Sequence, residues 1–280
     1  MLLPAIIVFA LLAIYPTLSA LWTSLNKYNL TKPWEGKTFV LFSNYLDMLS
    51  DLCFWQALLR SLQFVLVSVT VSFAIGLGIA LLLHRARFFK GFFRTIFLVP
   101  MVIAPAITTL NFKFMYNYNL GIINHILNWI GVGRIDFLSN PSTVLWSIMG
   151  VDIWQWTPFV ILVLLAGLES LPKEPYEAAL IDGANSWQIF RFITMPLLRK
   201  FVALTLVIRI MDVFKIYETI YLMTAGGPGT ASETLNIYLA KVGFSWFDMG
   251  YASAIGIFTL YFTLTCSWFL IKRTVTAAER

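Results

Sequence analysis

Apolar residues in this chain run on instead of alternating with polar ones. They fill six windows, at roughly 2–25, 58–83, 92–116, 143–171, 201–223 and 250–271. About 20 mainly apolar residues in a helix cross the hydrocarbon core of a bilayer, so each window predicts one transmembrane helix. The connectors hold the breakers expected of loops: Lys32-Pro33-Trp34-Glu35-Gly36, Asn140-Pro141-Ser142 and Gly226-Gly227-Pro228-Gly229. No short-period repeat, linker or low-complexity tract divides the chain. The expected fold class is all-α, a polytopic integral membrane protein of six transmembrane helices, with residues 1–280 forming one transmembrane domain.

Composition points the same way. Of the 280 residues 59% are hydrophobic and only 12% charged, about half the charge of an ordinary soluble domain. The first window carries no positive n-region and is too long for a signal-peptide core, so it reads as a retained helix. No polar lead-in precedes Leu2, which is compatible with a native tail ahead of it.

The net charge of +6 changes the picture only through its distribution. Arg85, Arg87, Lys90, Arg94, Lys173, Arg191, Arg199, Lys200, Lys272, Arg273 and Arg280 fall on one side of the six-span arrangement. Lys27, Lys32, Lys37, Arg134 and Lys241 fall on the other. The positive-inside rule places the richer side, and both termini, in the cytoplasm. No basic run is interleaved with aromatics as a nucleic-acid surface requires. Cys53 and Cys266 read as small buried hydrophobes, and no Cys or His spacing fits a metal. His84 and His125 lie at opposite connectors, which excludes a paired haem site.

The longest cytoplasmic connector, 172–200, carries a local code. Pro175 suits a first helical turn, and Glu177 lies close to the positive end of that helix. Ala178, Ala179 and Leu180 favour helix, and Gly183 supplies a stop or bend. Ala179 and Gly183, four apart, leave a small-residue face that a partner could approach. A second piece, Trp187–Phe192, presents aromatics before Pro196 interrupts the chain. The result expected is a helix–turn–helix outside the membrane, shaped for docking.

At these residues the sequence resembles a known family. Glu177-Ala178-Ala179, then Gly183, then Ile193-Thr194-Met195-Pro196 resembles the cytoplasmic loop motif of the permease subunits of binding-protein-dependent ABC importers. Met195 stands where the family usually has leucine, a volume-conserving change. The resemblance continues through Phe93-Arg94-Thr95-Ile96 to Pro100 and Pro105, and through Gly121-Ile122-Ile123-Asn124. It includes Phe214-Lys215-Ile216-Tyr217-Glu218 leading to Thr224-Ala225-Gly226-Gly227-Pro228-Gly229, where the family often has Phe-Asp for Tyr217-Glu218. It ends in Phe247-Asp248-Met249-Gly250-Tyr251-Ala252-Ser253-Ala254. Together these resemble the carbohydrate and glycerol-phosphate uptake branch, on the first-permease side of its heterodimeric pairs.

The resemblance implies a type I importer permease fold in a bacterial or archaeal cytoplasmic membrane. It implies a second permease completing the pathway, two ATP-binding subunits and an extracytoplasmic solute-binding protein. The loop, with Glu177, Ala178, Ala179, Asp182, Gly183 and Pro196, would couple to an ATP-binding subunit. ATP and magnesium would sit on that partner, and this chain would bind no cofactor. Consistent with this, the chain has no G-x-x-x-x-G-K-[ST] loop. Gly131-Val132-Gly133-Arg134 is on the wrong side and Gly226–Gly229 lacks the lysine.

Arg209, Asp212, Lys215 and Glu218 fall inside the fifth window, where each charge costs about 2.5–3.5 kcal/mol at a span centre. On a continuous helix Asp212 and Lys215 share a face, while Arg209 and Glu218 end about 180° apart. Two readings follow. The charges neutralise one another, Arg209 with Asp212 and Lys215 with Glu218, with further partners on other helices. Alternatively, some of them line the substrate pathway, as intramembrane charges commonly do. Tyr217, Trp154 and Trp156 offer rings for stacking on a sugar, and interface anchoring is the alternative for tryptophan. Pro100 and Pro105 are expected to kink the third span, and Gly76 and Gly78 to permit close helix packing.

Two rivals are weighed. A six-helix half of an ATP-independent secondary transporter explains the intramembrane charges but not the docking loop. An intramembrane lipid enzyme is suggested by Asp182-Gly183 alone. The further aspartates that CDP-alcohol phosphotransfer needs are absent, as are the clustered carboxylates of prenyl transfer.

Overall fold

Long apolar windows become long helices because in lipid each backbone N–H and C=O must be satisfied within the segment. The computed structural model describes residues 3–86 and 90–275. Leu2, and Arg87 and Arg280 of the basic set, lie outside them.

The first window forms α1 (Leu3–Phe9) and α2 (Tyr15–Ser24), joined by a π-helical turn at Ala10–Ile14. An outer segment follows in which β1 (Asn26–Lys27) pairs antiparallel with β2 (Thr38–Phe39), ahead of α3 (Ser43–Ser50). This two-residue ladder and an isolated antiparallel bridge between Asn29 and Asp248 are the β-structure among the described residues. α4 (Leu52–Arg85) is the second span. The third is broken into α5 (Lys90–Val102) and α6 (Pro105–Met115), which meet at 89°. A short outer helix, α7 (Ile122–Trp129), precedes the fourth span, α8 (Val144–Glu169). The connector after α8 holds α9 (Glu174–Ile181) and α10 (Ser186–Ile189), and a π-helical turn at Phe190–Thr194 leads into α11 (Met195–Phe214). α12 (Glu218–Thr224), α13 (Leu235–Ala240) and α14 (Met249–Val275) complete the chain.

Among the described residues four helices are individually long and apolar enough to cross a membrane, five where the bent α5–α6 pair is counted as one span. α11 falls short because it carries Arg199, Lys200, Arg209 and Asp212. It also stops at Phe214, so the window expected as one helix through Tyr221 and Leu222 is two helices. Lys215, Tyr217 and Glu218 put three polar groups in four residues, and Asn236 Nδ2 donates to the freed Phe214 carbonyl at 2.6 Å. The third span bends far more than a proline kink. Pro105 starts α6, and the Ile103 carbonyl left at the break accepts from Gln155 Nε2 at 3.0 Å.

Pro196 does not interrupt the chain as expected. It sits in the first turn of α11, directly after the π-turn whose last bond runs from Met195 N–H to the Phe190 carbonyl. The wider turn moves the missing donor out of the ladder. Pro16 follows its own π-turn in the same way.

α8 is the axis of the bundle, with 61% of its apolar window buried against 28% for α4 and 33% for α14. Side chains at Val160, Leu164 and Leu168 pack with Ala80 and Leu83 of α4 and Leu198 of α11. Towards the outer side, Ile148 and Met149 meet Phe64, Val69, Val213 and Ile220. Gly76 lets α4 reach α8: a Cβ there would stand 2.6 Å from Val160 Cγ1. Gly78 does not do this, since a Cβ there meets nothing within 4 Å. The first span, Ile6–Ser24, has almost no residue buried by the rest of the chain.

A polar knot closes the outer end. Asp51 caps α4, its Oδ1 accepting from the Cys53 N–H at 2.8 Å. Its Oδ2 accepts from Tyr238 at 2.5 Å and Tyr251 at 2.6 Å, tying α4 to α13 and α14. Cys53 is exposed and Cys266 only half-buried, contrary to the expectation for both. Cys53 sits on the outward side of the first turn, where the cap leaves it facing away from the bundle. Burial acts to raise the Asp51 pKa, but the two phenols and the backbone N–H groups of Cys53 and Phe54 outweigh it and hold the carboxyl below the usual range. A depressed folded value stabilises the protein above the unfolded pKa of about 3.9, and that contribution is lost as pH falls through the folded value. The melting temperature of the intact protein should therefore exceed that of Asp51→Asn at pH 6, and the difference should shrink below pH 4. A difference independent of pH would remove the charge from this account.

Candidate functional site

The connector between α8 and α11 is built from strong local signals. Glu174 and Glu177 occupy the first turn of α9, next to its positive end. Gly183 ends the helix at φ +76°, a left-handed backbone that suits glycine. The Ala184 N–H reaches the Ala179 carbonyl at 2.9 Å, and the Gly183 N–H reaches Leu180 at 3.2 Å. Those two bonds make a Schellman stop. Asn185 and Gln188 then form a reciprocal capping box for α10, at 2.9 and 2.8 Å. Tyr176 Oη donates to Thr194 Oγ1 at 3.2 Å and holds the first helix to the root of α11.

α9 has no buried residue. Glu177, Ala178, Asp182 and Gly183 are exposed, Ala179 is half-buried, and Pro196 is exposed at the start of α11. Leu180 and Ile181 are 64% and 87% exposed. An eight-residue helix is too short to persist in water on its own propensity. Here its C-terminal Schellman stop and the Tyr176 bond hold it, with an apolar edge facing outwards.

The fifth-span charges do not form the pairs that helical spacing suggested. Arg209 is 1% exposed and donates from Nη2 to Asp152 Oδ2 of α8 at 2.6 Å. The Trp156 ring lies 5.9 Å from its Cζ, while its Nε and Nη1 have no protein partner. Sequence reading missed Asp152, although a lone aspartate in an apolar span was itself a signal. The break after Phe214 separates the others. Lys215 caps α11, Tyr217 precedes α12, and Glu218 lies in its first turn. Asp212, Lys215, Tyr217 and Glu218 are exposed. Tyr217 stacks on Tyr221 at 5.2 Å, and Trp154 packs edge-on against Phe112.

Beyond α12 the Gly-rich turn is tightly held. Ser232 Oγ donates to the Gly227 carbonyl at 2.7 Å, and Lys241 pairs with buried Glu233 at 3.1 Å. Together with Lys113, Tyr116, Asn117 and Asp136, the turn walls a polar hollow of about 640 Å³. Lys113 Nζ donates to the Leu222 carbonyl at 2.8 Å across it.

The chain is thus a helical bundle with two broken spans and an exposed helix between the fourth and fifth. The chain belongs to the family described as the binding-protein-dependent transport system inner membrane component, whose pattern matches residues 72–271. It is therefore a permease of the ABC importer class, a transport component that works with partner subunits, and the secondary-transporter reading falls. A probable ABC transporter permease of Sinorhizobium fredii is 36% identical over 96% of this chain and 87% of its own length. The trehalose/maltose transport system permease MalF of Thermococcus litoralis is 36% identical over 97% of this chain and 91% of its own. Among solved structures, a chain of a bacterial alginate ABC transporter, crystallised with an alginate pentasaccharide-bound periplasmic protein, superposes with a TM-score of 0.84. That chain is 25% identical, over 99% of this chain and 93% of its own length.

Proposed function

We propose that this chain is one of two permeases forming the pathway of an ATP-driven sugar importer in a bacterial or archaeal cytoplasmic membrane, with both termini in the cytoplasm. The second permease is a different chain. Two ATP-binding subunits carry ATP and magnesium, and an extracytoplasmic solute-binding protein delivers the substrate to the outer loops. The substrate class is a mono- or oligosaccharide, with uronate-containing and glycerol-phosphate substrates inside the range. The trehalose/maltose and alginate relatives support that class.

The observation that carries the coupling role is α9 itself, a helix stopped at Gly183 that buries nothing and exposes Leu180 and Ile181. Such an edge on the more basic, cytoplasmic side fits insertion into a cleft on an ATP-binding subunit, with Glu177, Ala178, Ala179, Asp182 and Gly183 at the contact and Pro196 at the root. Asp212, Lys215, Tyr217 and Glu218 contribute this chain's half of the pathway. Arg209, locked to Asp152, sets the position of α11 and does not meet substrate in this conformation.

The test is isolation of the chain from native membranes under mild detergent. An ATP-binding subunit and a second permease should copurify, and ATPase activity should rise when the loaded binding protein is added. Well-folded protein that brings down no ATPase would overturn the proposal.

A further inference from the structure

We propose that the groove between the inner end of α4 and the α10 segment is a binding site for an anionic phospholipid. This rests on the membrane orientation proposed above. The groove has a volume of about 790 Å³, within the 300–1,000 Å³ of pockets that bury small ligands. Gly78 and Leu82 of α4, Leu168 of α8 and Phe190 give it an apolar floor, while His84 and Arg85 stand at its mouth. No carboxylate is found among the described residues that line it.

Three features select a lipid. The groove opens where α4 leaves the acyl layer: Leu82 is 71% exposed, and Arg85 ends the helix three residues later. An acyl chain can therefore lie along Leu82 and Gly78 on the apolar floor while its headgroup meets His84 and Arg85 at the mouth. Trp187 is 64% exposed and its ring lies 5.6 Å from that of Phe190, the arrangement of aromatic residues at headgroup level. Basic pockets between helices on the cytoplasmic side suit anionic headgroups, and charge of one sign at the mouth supplies that complementarity here. Gly78 keeps the floor open, since an added Cβ meets nothing within 4 Å. A bound lipid would bridge α4 to the segment joining the docking helix to α11, and so would bear on coupling.

The experiment uses the assembled importer, purified and mixed with phosphatidylglycerol and phosphatidylcholine of identical chains, with bound lipid counted by native mass spectrometry. The intact complex should retain phosphatidylglycerol in preference. Arg85→Gln should lower that preference about fivefold, the ~1 kcal/mol that one basic side chain contributes near an anionic surface. Gly78→Leu fills open space and should fold, yet it should lose both lipids. An unchanged lipid ratio in Arg85→Gln, or full retention of lipid in Gly78→Leu, would overturn the site. So would a photocrosslinker at Leu82 that labels another subunit in native vesicles instead of lipid. Copurification of the ATP-binding subunit is read in the same samples, so failure of the lipid site and failure of the importer assignment give different results.

Discussion

Asp152→Ala is expected to destabilise the protein by about 3–5 kcal/mol, the usual cost of removing one partner from a buried ion pair. Both groups are buried, Asp152 5% and Arg209 1% exposed, and one 2.6 Å bond joins them. Two guanidinium nitrogens already have no protein partner, so losing Asp152 leaves a buried charge without its hydrogen-bonded carboxylate, facing the Trp156 ring. The two halves of the pair are not equivalent. A guanidinium cannot shed its proton, whereas a stranded carboxylate can gain one. Arg209→Met should therefore cost less than Asp152→Ala. Asp152→Leu combined with Arg209→Met should recover much of the loss, because apolar residues of similar volume often replace a buried pair without penalty. Thermal unfolding in detergent of the intact protein, Asp152→Leu, Arg209→Met and the double variant measures the coupling. Transport by the double variant then separates two roles: if the pair only positions α11, folding and transport return together. If stability returns and transport does not, Arg209 meets substrate in another conformation.

That pair marks the limit of what the chain shows without its fold. Spans were legible because one number, the thickness of a bilayer, sets helix length. The loop between α8 and α11 was legible because its signals are local: Pro175 and Glu177 at one end of a helix and Gly183 at the other, whereas the capping box at Asn185 and Gln188 was not read from the chain. Asp152 and Arg209 lie 57 residues apart in sequence, and nothing in helical periodicity joins them. Periodicity misled at Lys215, because it assumes the helix continues. The chain instead breaks there, and Asn236 takes up the freed carbonyl. Pro196 misled for a related reason, since a π-turn lets a helix pass a proline without stopping. The two glycines of α4 look alike in sequence, yet one touches Val160 and the other faces open space. Which face of α4 meets α8 is a tertiary fact.

Glu177→Lys and Gly183→Val should uncouple transport from ATP while leaving the membrane domain intact. Neither position buries anything, and a Cβ at Gly183 meets nothing within 4 Å. Reversing the charge at Glu177 costs a first-turn dipole interaction worth about 0.3–1 kcal/mol, too little to unfold the bundle. A β-branched residue at φ +76° is strained. It would release the Schellman bonds to Ala179 and Leu180 and re-aim α9 without touching α8. If α9 is the contact, each change should act as an interface hot spot. A loss of ~2 kcal/mol weakens association with the ATP-binding subunit about 30-fold, and binding-protein-stimulated ATPase should fall with it. The melting temperature of the isolated permease separates this from misfolding, since it should move little for either variant. Arg134→Gln, on the opposite side of the membrane, serves as the control and should leave association unchanged. Unaltered association in both loop variants would show that α9 is a folded ornament of the loop and that the ATP-binding subunit docks elsewhere.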